Sequence, residues 1–150
     1  MIAVEKIRKR YGRIEALGEV SLHVRRGELF GLIGPDGAGK STLFRILTTL
    51  MVPDGGTARV AGFDCVADYR NVRCQVGYMP GKFSLYQDLT VEENIDFFAS
   101  IFNVRKEDGL KLVEPIYRQI EPFKKRYAGK LSGGMKQKLA LCCALIHKPE

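Results

Sequence analysis

An apolar run that opens onto a glycine-rich turn limits what this chain can fold into more than any other feature of its 150 residues. Leu29-Phe30-Gly31-Leu32-Ile33 is apolar on both faces, the pattern of a central parallel strand covered on both sides. It leads into Gly34-Pro35-Asp36-Gly37-Ala38-Gly39-Lys40-Ser41-Thr42, which fits G-x-x-x-x-G-K-[ST]. Leu43, Phe44, Ile46, Leu47 and Leu50 then recur at helical spacing, and Pro53-Asp54-Gly55-Gly56 is expected to end that helix. Strand, glycine loop and helix in this order are the setting in which such a turn wraps phosphates.

The chemistry explains the residue types. Closely spaced phosphates carry several negative charges, so their cradle needs many donors and no bulky side chains. Gly34, Gly37 and Gly39 let the backbone approach closely. The amides from Gly39 to Thr42 fall at a helix N-terminus, whose dipole favours anions. Lys40 adds a mobile positive charge for the β- and γ-phosphates, Ser41 offers its hydroxyl to Mg²⁺, and Thr42 is the expected donor to the α-phosphate. The implied ligands are ATP, or another nucleoside triphosphate, and magnesium.

Elsewhere the pattern alternates between strands and helices. Val20, Leu22 and Val24 alternate with Glu19, Ser21, His23 and Arg25, a half-buried strand with His23 on its polar side. Thr57–Val60 and Gln75–Met79 read as short strands. Thr90-Val91-Glu92-Glu93 has the form of a capping box and opens a helix with Ile95, Phe98, Ala99 and Phe102 on one face. A further helix is predicted from about Asp108 to Ile120, weakened by Pro115. Ser132 caps another, with Met135, Leu139, Cys142 and Ile146 on its apolar side. The sum is an α/β fold with an antiparallel patch from the early strands. Residues 1–88 would form its core and 89–150 a mainly helical part.

The last of these helices begins at Leu131-Ser132-Gly133-Gly134-Met135-Lys136-Gln137. Ser132 offers a hydroxyl, and Gly133 and Gly134 expose backbone amides at a helix start. This stretch resembles the LSGGQ-type signature of ATP-binding cassette (ABC) proteins. With the phosphate loop upstream, nearly the whole chain resembles the N-terminal portion of an ABC transporter nucleotide-binding domain, a P-loop NTPase with an ABC-type ATPase core. The resemblance implies several things. The signature lies over ATP held by an opposite subunit, so a second nucleotide-binding domain, identical or not, is an expected partner. A separate transmembrane permease is another, placing the protein in the cytoplasm against the membrane. Tyr11, in Arg10-Tyr11-Gly12, resembles the family's adenine-stacking aromatic, its alternative being packing on the core. The family's catalytic acids and catalytic histidine are expected beyond Glu150, so no catalytic set is complete here and hydrolysis is expected only of the longer domain.

One loop departs from the family. In Met79-Pro80-Gly81-Lys82-Phe83-Ser84-Leu85-Tyr86, Gly81 stands where most members have a glutamine that senses Mg²⁺, and Gln87 is too displaced to inherit the role. Lys82, Phe83 and Tyr86 either form a surface for a partner helix or tuck inward. Here and in Gly34–Gly37 the chain looks most like export-type systems.

Composition excludes other classes. Hydrophobic content of 45% and charged content of 27% are those of a globular domain. No apolar run approaches the roughly 18 residues that cross a bilayer, and the N-terminus lacks the form of a secretory signal. The net charge of +7 suits polyphosphate or an anionic surface. Arg8-Lys9-Arg10 and Lys124-Lys125-Arg126 lack the interleaved aromatics of a single-strand binding groove, so nucleic acid is not expected. Cys65, Cys74, Cys142 and Cys143 form no C-x-x-C pair, which fits a reducing compartment. Three functions are compatible with the residues. They are the ATPase subunit of an exporter, a nucleotide-binding module without turnover, and an ABC ATPase acting on nucleic acid or ribosomes.

Overall fold

The computed structural model describes residues 1–150, which gather into two compact units, 1–76 and 77–149. The first is built on a four-stranded antiparallel sheet of spatial order β2-β1-β3-β4. Strands β1 (Ile2–Tyr11) and β2 (Ile14–Val24) form a hairpin turned at Gly12. Strand β3 (Gly55–Val60) pairs with the other edge of β1, and β4 (Phe63–Asp64) returns along β3. Helices α1 (Lys40–Leu47) and α2 (Tyr69–Gln75) complete the unit. Its core joins Val4 and Ile7 of β1, Leu17 of β2, Leu43 and Ile46 of α1, Ala58 of β3 and Val72 of α2. Each large aliphatic side chain so buried contributes about 1.5–3 kcal/mol.

Strand β1 carries its apolar residues out of step. Val4 and Ile7 are both buried although three positions apart, because the ladder shifts register between them. Lys6 sits there at φ 47° and its N–H donates to Ser21 Oγ at 2.9 Å. Gly56, at φ 80°, faces this bulge so closely that a Cβ would lie 2.3 Å from the Lys6 carbonyl oxygen. The bulge explains why simple alternation does not reveal β1.

Three expectations are corrected. Leu29–Ile33 is not a strand but irregular backbone, with Leu29 and Ile33 fully exposed and Phe30 half exposed. A strand exists only where a second backbone completes its ladder, and no segment of the described chain pairs with this one. For the same reason Val76–Met79 is irregular, and Gln75 ends α2 instead of opening a strand. Helix α1 stops at Leu47, well short of Pro53, leaving Leu50 exposed. Thr49 adopts φ 60°, the Leu50 N–H reaches Arg45 O at 2.8 Å and the Thr49 N–H reaches Ile46 O at 3.0 Å, a Schellman closure. Left-handed torsions are unfavourable for a β-branched residue. Arg73 of α2 holds this one in place, donating to Thr49 Oγ1 at 2.7 Å and to its carbonyl at 3.2 Å. The helix expected from about 108 to 120 is present as α4 (Lys106–Tyr117), and its expected weakening at Pro115 shows as Val113 leaving helical torsions (φ −113°, ψ 15°). Pro115 cannot donate to the carbonyl four residues back, and its ring crowds that turn.

The second unit is helical. Helices α3 (Val91–Ile101), α4 and α5 (Gly133–Leu145) enclose Ile95, Val113, Leu139, Cys142 and Ile146. Gly109 lets α4 approach the end of α5; a Cβ there would lie 2.2 Å from the Ile146 carbonyl oxygen. The segment 77–88, grouped by sequence with the core, belongs to this unit, since Phe83 and Leu85 pack on its apolar centre. His147, beyond the end of α5, stacks on Phe102 with centroids 3.9 Å apart. Burial raises the Cys142 thiol to about 11 and Cys143 further, and both are free, so they act as small apolar side chains. No helix is long and apolar enough to cross a membrane.

Candidate functional site

The glycine loop stands where α1 begins. Gly39 is the N-cap of α1 at φ 82° and contributes no capping side chain, and the first turn holds no acidic residue. A Cβ on Gly39 would lie 2.3 Å from the Ala16 carbonyl oxygen and 2.7 Å from Leu17 Cδ2, so packing and torsion both require glycine. Gly37 shares the left-handed torsion (φ 83°), but a Cβ there meets nothing within 4 Å. Lys40 folds back over the loop, its Nζ donating to the carbonyls of Gly34 and Pro35 at 2.6 Å each. Asp36, Gly37, Ala38 and Ser41 are exposed, whereas Thr42 is buried with its Oγ1 3.4 Å from the Tyr11 hydroxyl. The structure thus gathers Tyr11, Gly34–Thr42 and the exposed start of α1 in one unit.

Tyr11 also donates its hydroxyl to Met51 Sδ at 3.1 Å, and its ring remains about two-fifths exposed. Its place at the end of β1 is fixed by Asp54, which sequence alone treats only as part of a turn. Asp54 accepts from the Arg10 N–H and from Lys9 Nζ, both at 2.7 Å. The Lys9 hydrogen bond and the Arg10 amide hold its carboxyl below the usual range.

The donor set suits a polyphosphate. An uncapped helix start leaves several N–H groups unpaired, its dipole favours an anion, and the lysine and open glycines stand at its mouth. No group of three His, Cys, Asp or Glu side chains converges to hold a metal. A magnesium ion here would take the Ser41 hydroxyl together with phosphate oxygens.

The second motif lies in the other unit. Leu131 is buried and anchors the stretch, while Ser132, Gly133 and Gly134 are exposed. Ser132 caps α5, its Oγ accepting from the Met135 N–H at 3.4 Å. Neither Gly133 nor Gly134 has a positive φ, and a Cβ on either would meet nothing within 4 Å. Nothing inside the chain therefore requires glycine at these positions. Lys136 places its ammonium over the Phe83 ring at 5.4 Å, and Gln137 is exposed.

The loop before α3 divides its aromatics. Phe83 turns inward, Lys82 stays exposed, and Tyr86 packs edge-on against Phe97 at 4.8 Å while half exposed. Gly81 is in open space, so the fold does not call for glycine there. What holds the loop is Asn94, a residue whose importance sequence does not disclose. Fully buried, it accepts from the Tyr86 N–H at 3.1 Å and donates to the carbonyls of Tyr86, Leu89 and Thr90 at 3.0, 3.3 and 2.9 Å. The only sequence signal is a polar residue next to Ile95 on a helix that buries both.

Comparison with known proteins extends these observations. The profile described as "ABC transporter" matches residues 17–150. The "Probable multidrug ABC transporter ATP-binding protein YbhF" of Escherichia coli is 42% identical over 156 residues, which cover 100% of this chain and 27% of that protein. The "Doxorubicin resistance ATP-binding protein DrrA" of Mycobacterium tuberculosis is 36% identical over 153 residues, covering 99% of this chain and 46% of its own length. The dimeric cassette MJ0796, solved in a post-hydrolysis state with ADP and Pi, superposes with a TM-score of 0.85 at 26% identity, covering 99% of this chain and 71% of that one. The chain thus spans between about a quarter and a half of these curated relatives.

Proposed function

The chain belongs to the ABC transporter family, and from that premise we propose that it is the ATP-binding part of an export system, coupling ATP binding and hydrolysis to movement of a substrate through a membrane permease. One observation carries the proposal: the start of α1 is led by Gly39, lacks a capping side chain and an acid, and has Lys40 and Ser41 beside it. With a nucleotide bound, Lys40 would leave the loop carbonyls for the β- and γ-phosphates, the amides of Gly37 to Thr42 would donate to phosphate oxygens, and Ser41 would offer its hydroxyl to the metal. Magnesium, when bound with the nucleotide, neutralises charge on the β- and γ-phosphates. Tyr11 stacks its exposed ring on the adenine, a contact contributing roughly 1–3 kcal/mol.

Ser132, Gly133 and Gly134 act on the nucleotide of a second such domain. Their support is that both glycines stand in open space at a helix start, where a Cβ would obstruct only a visitor. The names of YbhF and DrrA, a multidrug transporter component and a drug-resistance protein, favour export over import. The position is peripheral, on the cytoplasmic face of the membrane.

The test is calorimetry of Mg-ATP binding to the intact protein and its Lys40→Ala variant. A hydrogen bond to a charged group contributes about 1.5–3 kcal/mol, so the variant is expected to bind at least about tenfold more weakly. Equal affinities would sink the assignment.

A further inference from the structure

From Pro122 to Pro149 the sequence holds seven lysines and arginines and no aspartate or glutamate. Four of these cations, Lys124, Lys125, Arg126 and Lys130, are exposed and enter none of the chain's ion pairs. Three of them border a hollow of about 370 Å³ whose other walls are Pro122, Phe123 and Tyr127. The triplet Lys124-Lys125-Arg126, without interleaved aromatics, is flanked by Phe123 and Tyr127. Arg126 lies over the Phe123 ring at 4.5 Å, and Lys130 over the Tyr127 ring at 5.9 Å. Those rings fix the direction of both charges while leaving their N–H groups free to donate.

The backbone here is anchored rather than loose. The Val91 N–H donates to Arg126 O and the Glu92 N–H to Lys124 O, both at 3.0 Å, and Thr90 bridges to Tyr127. The acids on the neighbouring helix start are engaged elsewhere. Glu92 pairs with Lys106 at 3.3 Å, and Glu93 accepts from the Thr90 N–H at 2.7 Å. A preformed concave surface with three cations and two aromatic rings among its walls, and no acid among them, matches an anion that carries an apolar or planar portion.

We infer that this hollow is a second anion site, separate from the glycine loop, which binds a phosphate group attached to an apolar body. The source is either the headgroup of an anionic phospholipid or a soluble phosphate compound. Arg126 takes the phosphate with its planar fork, Lys125 and Lys130 add charge, and Tyr127 covers the apolar neighbour of the phosphate.

The intact protein is compared with the neutral variant Lys125→Gln/Arg126→Gln/Lys130→Gln. A milder variant, Lys125→Gln/Lys130→Gln, keeps Arg126 on its ring in case the triple change disturbs folding. The probes are vesicles of phosphatidylglycerol in phosphatidylcholine, and inorganic pyrophosphate. Saturating Mg-ATP occupies the glycine loop in every protein, so the probes report on the hollow alone, and a failure of the Lys40 assignment leaves this comparison unaffected. Each cation near an anionic surface is worth about fivefold in binding. The triple variant is therefore expected to lose on the order of 100-fold, and the double about 25-fold, with Mg-ATP affinity unchanged. A loss confined to vesicles assigns the site to lipid, and a loss that includes pyrophosphate assigns it to soluble phosphates. Undiminished binding of both probes by both variants overturns the inference.

Discussion

At the start of α3, Thr90 and Glu93 satisfy the backbone reciprocally. The Thr90 Oγ1 accepts from the Glu93 N–H at 3.2 Å, the Glu93 carboxylate accepts from the Thr90 N–H at 2.7 Å, and Glu92 adds a second acid to the turn. At the start of α1, Gly39 brings no side chain and no acid follows. Both helix starts carry the same unpaired donors and the same partial positive charge. One neutralises them from within its own sequence, and the other does not. The start of α5 lies between, with a Ser132 cap and no acid in its first turn. In this chain a capping box marks a helix start whose donors are satisfied, whereas a bare glycine cap beside a lysine marks one whose donors are left unpaired, which is where we propose that the nucleotide binds.

The comparison can be broken most severely at Gly39. A Cβ there meets backbone at 2.3 Å in a left-handed torsion, whereas Gly37 shares the torsion with open space around it. Torsional strain and a clash together cost about 3 kcal/mol or more, and strain alone about 1–2 kcal/mol. Gly39→Ala is expected to lower stability in urea by the larger figure and Gly37→Ala by the smaller. Equal losses would mean that the clash with Ala16 relaxes.

Asn94→Ala comes next. It removes the acceptor of the Tyr86 N–H and one of the two donors to each of the Tyr86 and Thr90 carbonyls, beside the satisfied helix start. Unsatisfied buried groups cost about 1–3 kcal/mol each where water cannot reach them. A net loss of about 2–4 kcal/mol is expected, with faster amide exchange across 86–90 and little change in Gly39–Thr42. Unchanged exchange in that loop would show that its packing, not Asn94, holds it.

The smallest effect concerns acid. The Thr90 N–H and hydroxyl hold the Glu93 carboxyl below its ordinary 4.5. A depressed folded-state pKa contributes stability above the unfolded value, and that contribution disappears as pH falls through the folded one. Melting temperature is therefore expected to decline as pH drops below about 4.5. Glu93→Gln, which can still close the box, should show a shallower decline. Identical pH profiles would remove Glu93 from the account.

What sequence reveals follows the range of the forces involved. Thr90-x-x-Glu93 and Ser132 were legible because a cap needs only its own three following residues, and both occur as expected. The glycine loop was legible for the same reason. Leu29–Ile33 was not, because being a strand is a property of two backbones and periodicity describes one. Strand β1 was hidden by the bulge at Lys6, which breaks alternation, and its compensation by Ser21 and Gly56 is distant in sequence. The early end of α1 depends on Arg73 supporting Thr49 from another helix. Of the candidate site, the glycine loop and its lysine were visible, while Asp54, which fixes the end of β1 beside Tyr11, and Asn94, which holds the loop before α3, were not.

The contrast between the two helix starts is tested most directly by backbone amide NMR during titration of the intact protein with Mg-ATP. The account predicts that the amides of Gly37–Thr42 shift strongly and saturably while those of Val91–Asn94 stay in place. Absence of shifts at Gly37–Thr42, or equal shifts at both helix starts, would contradict it.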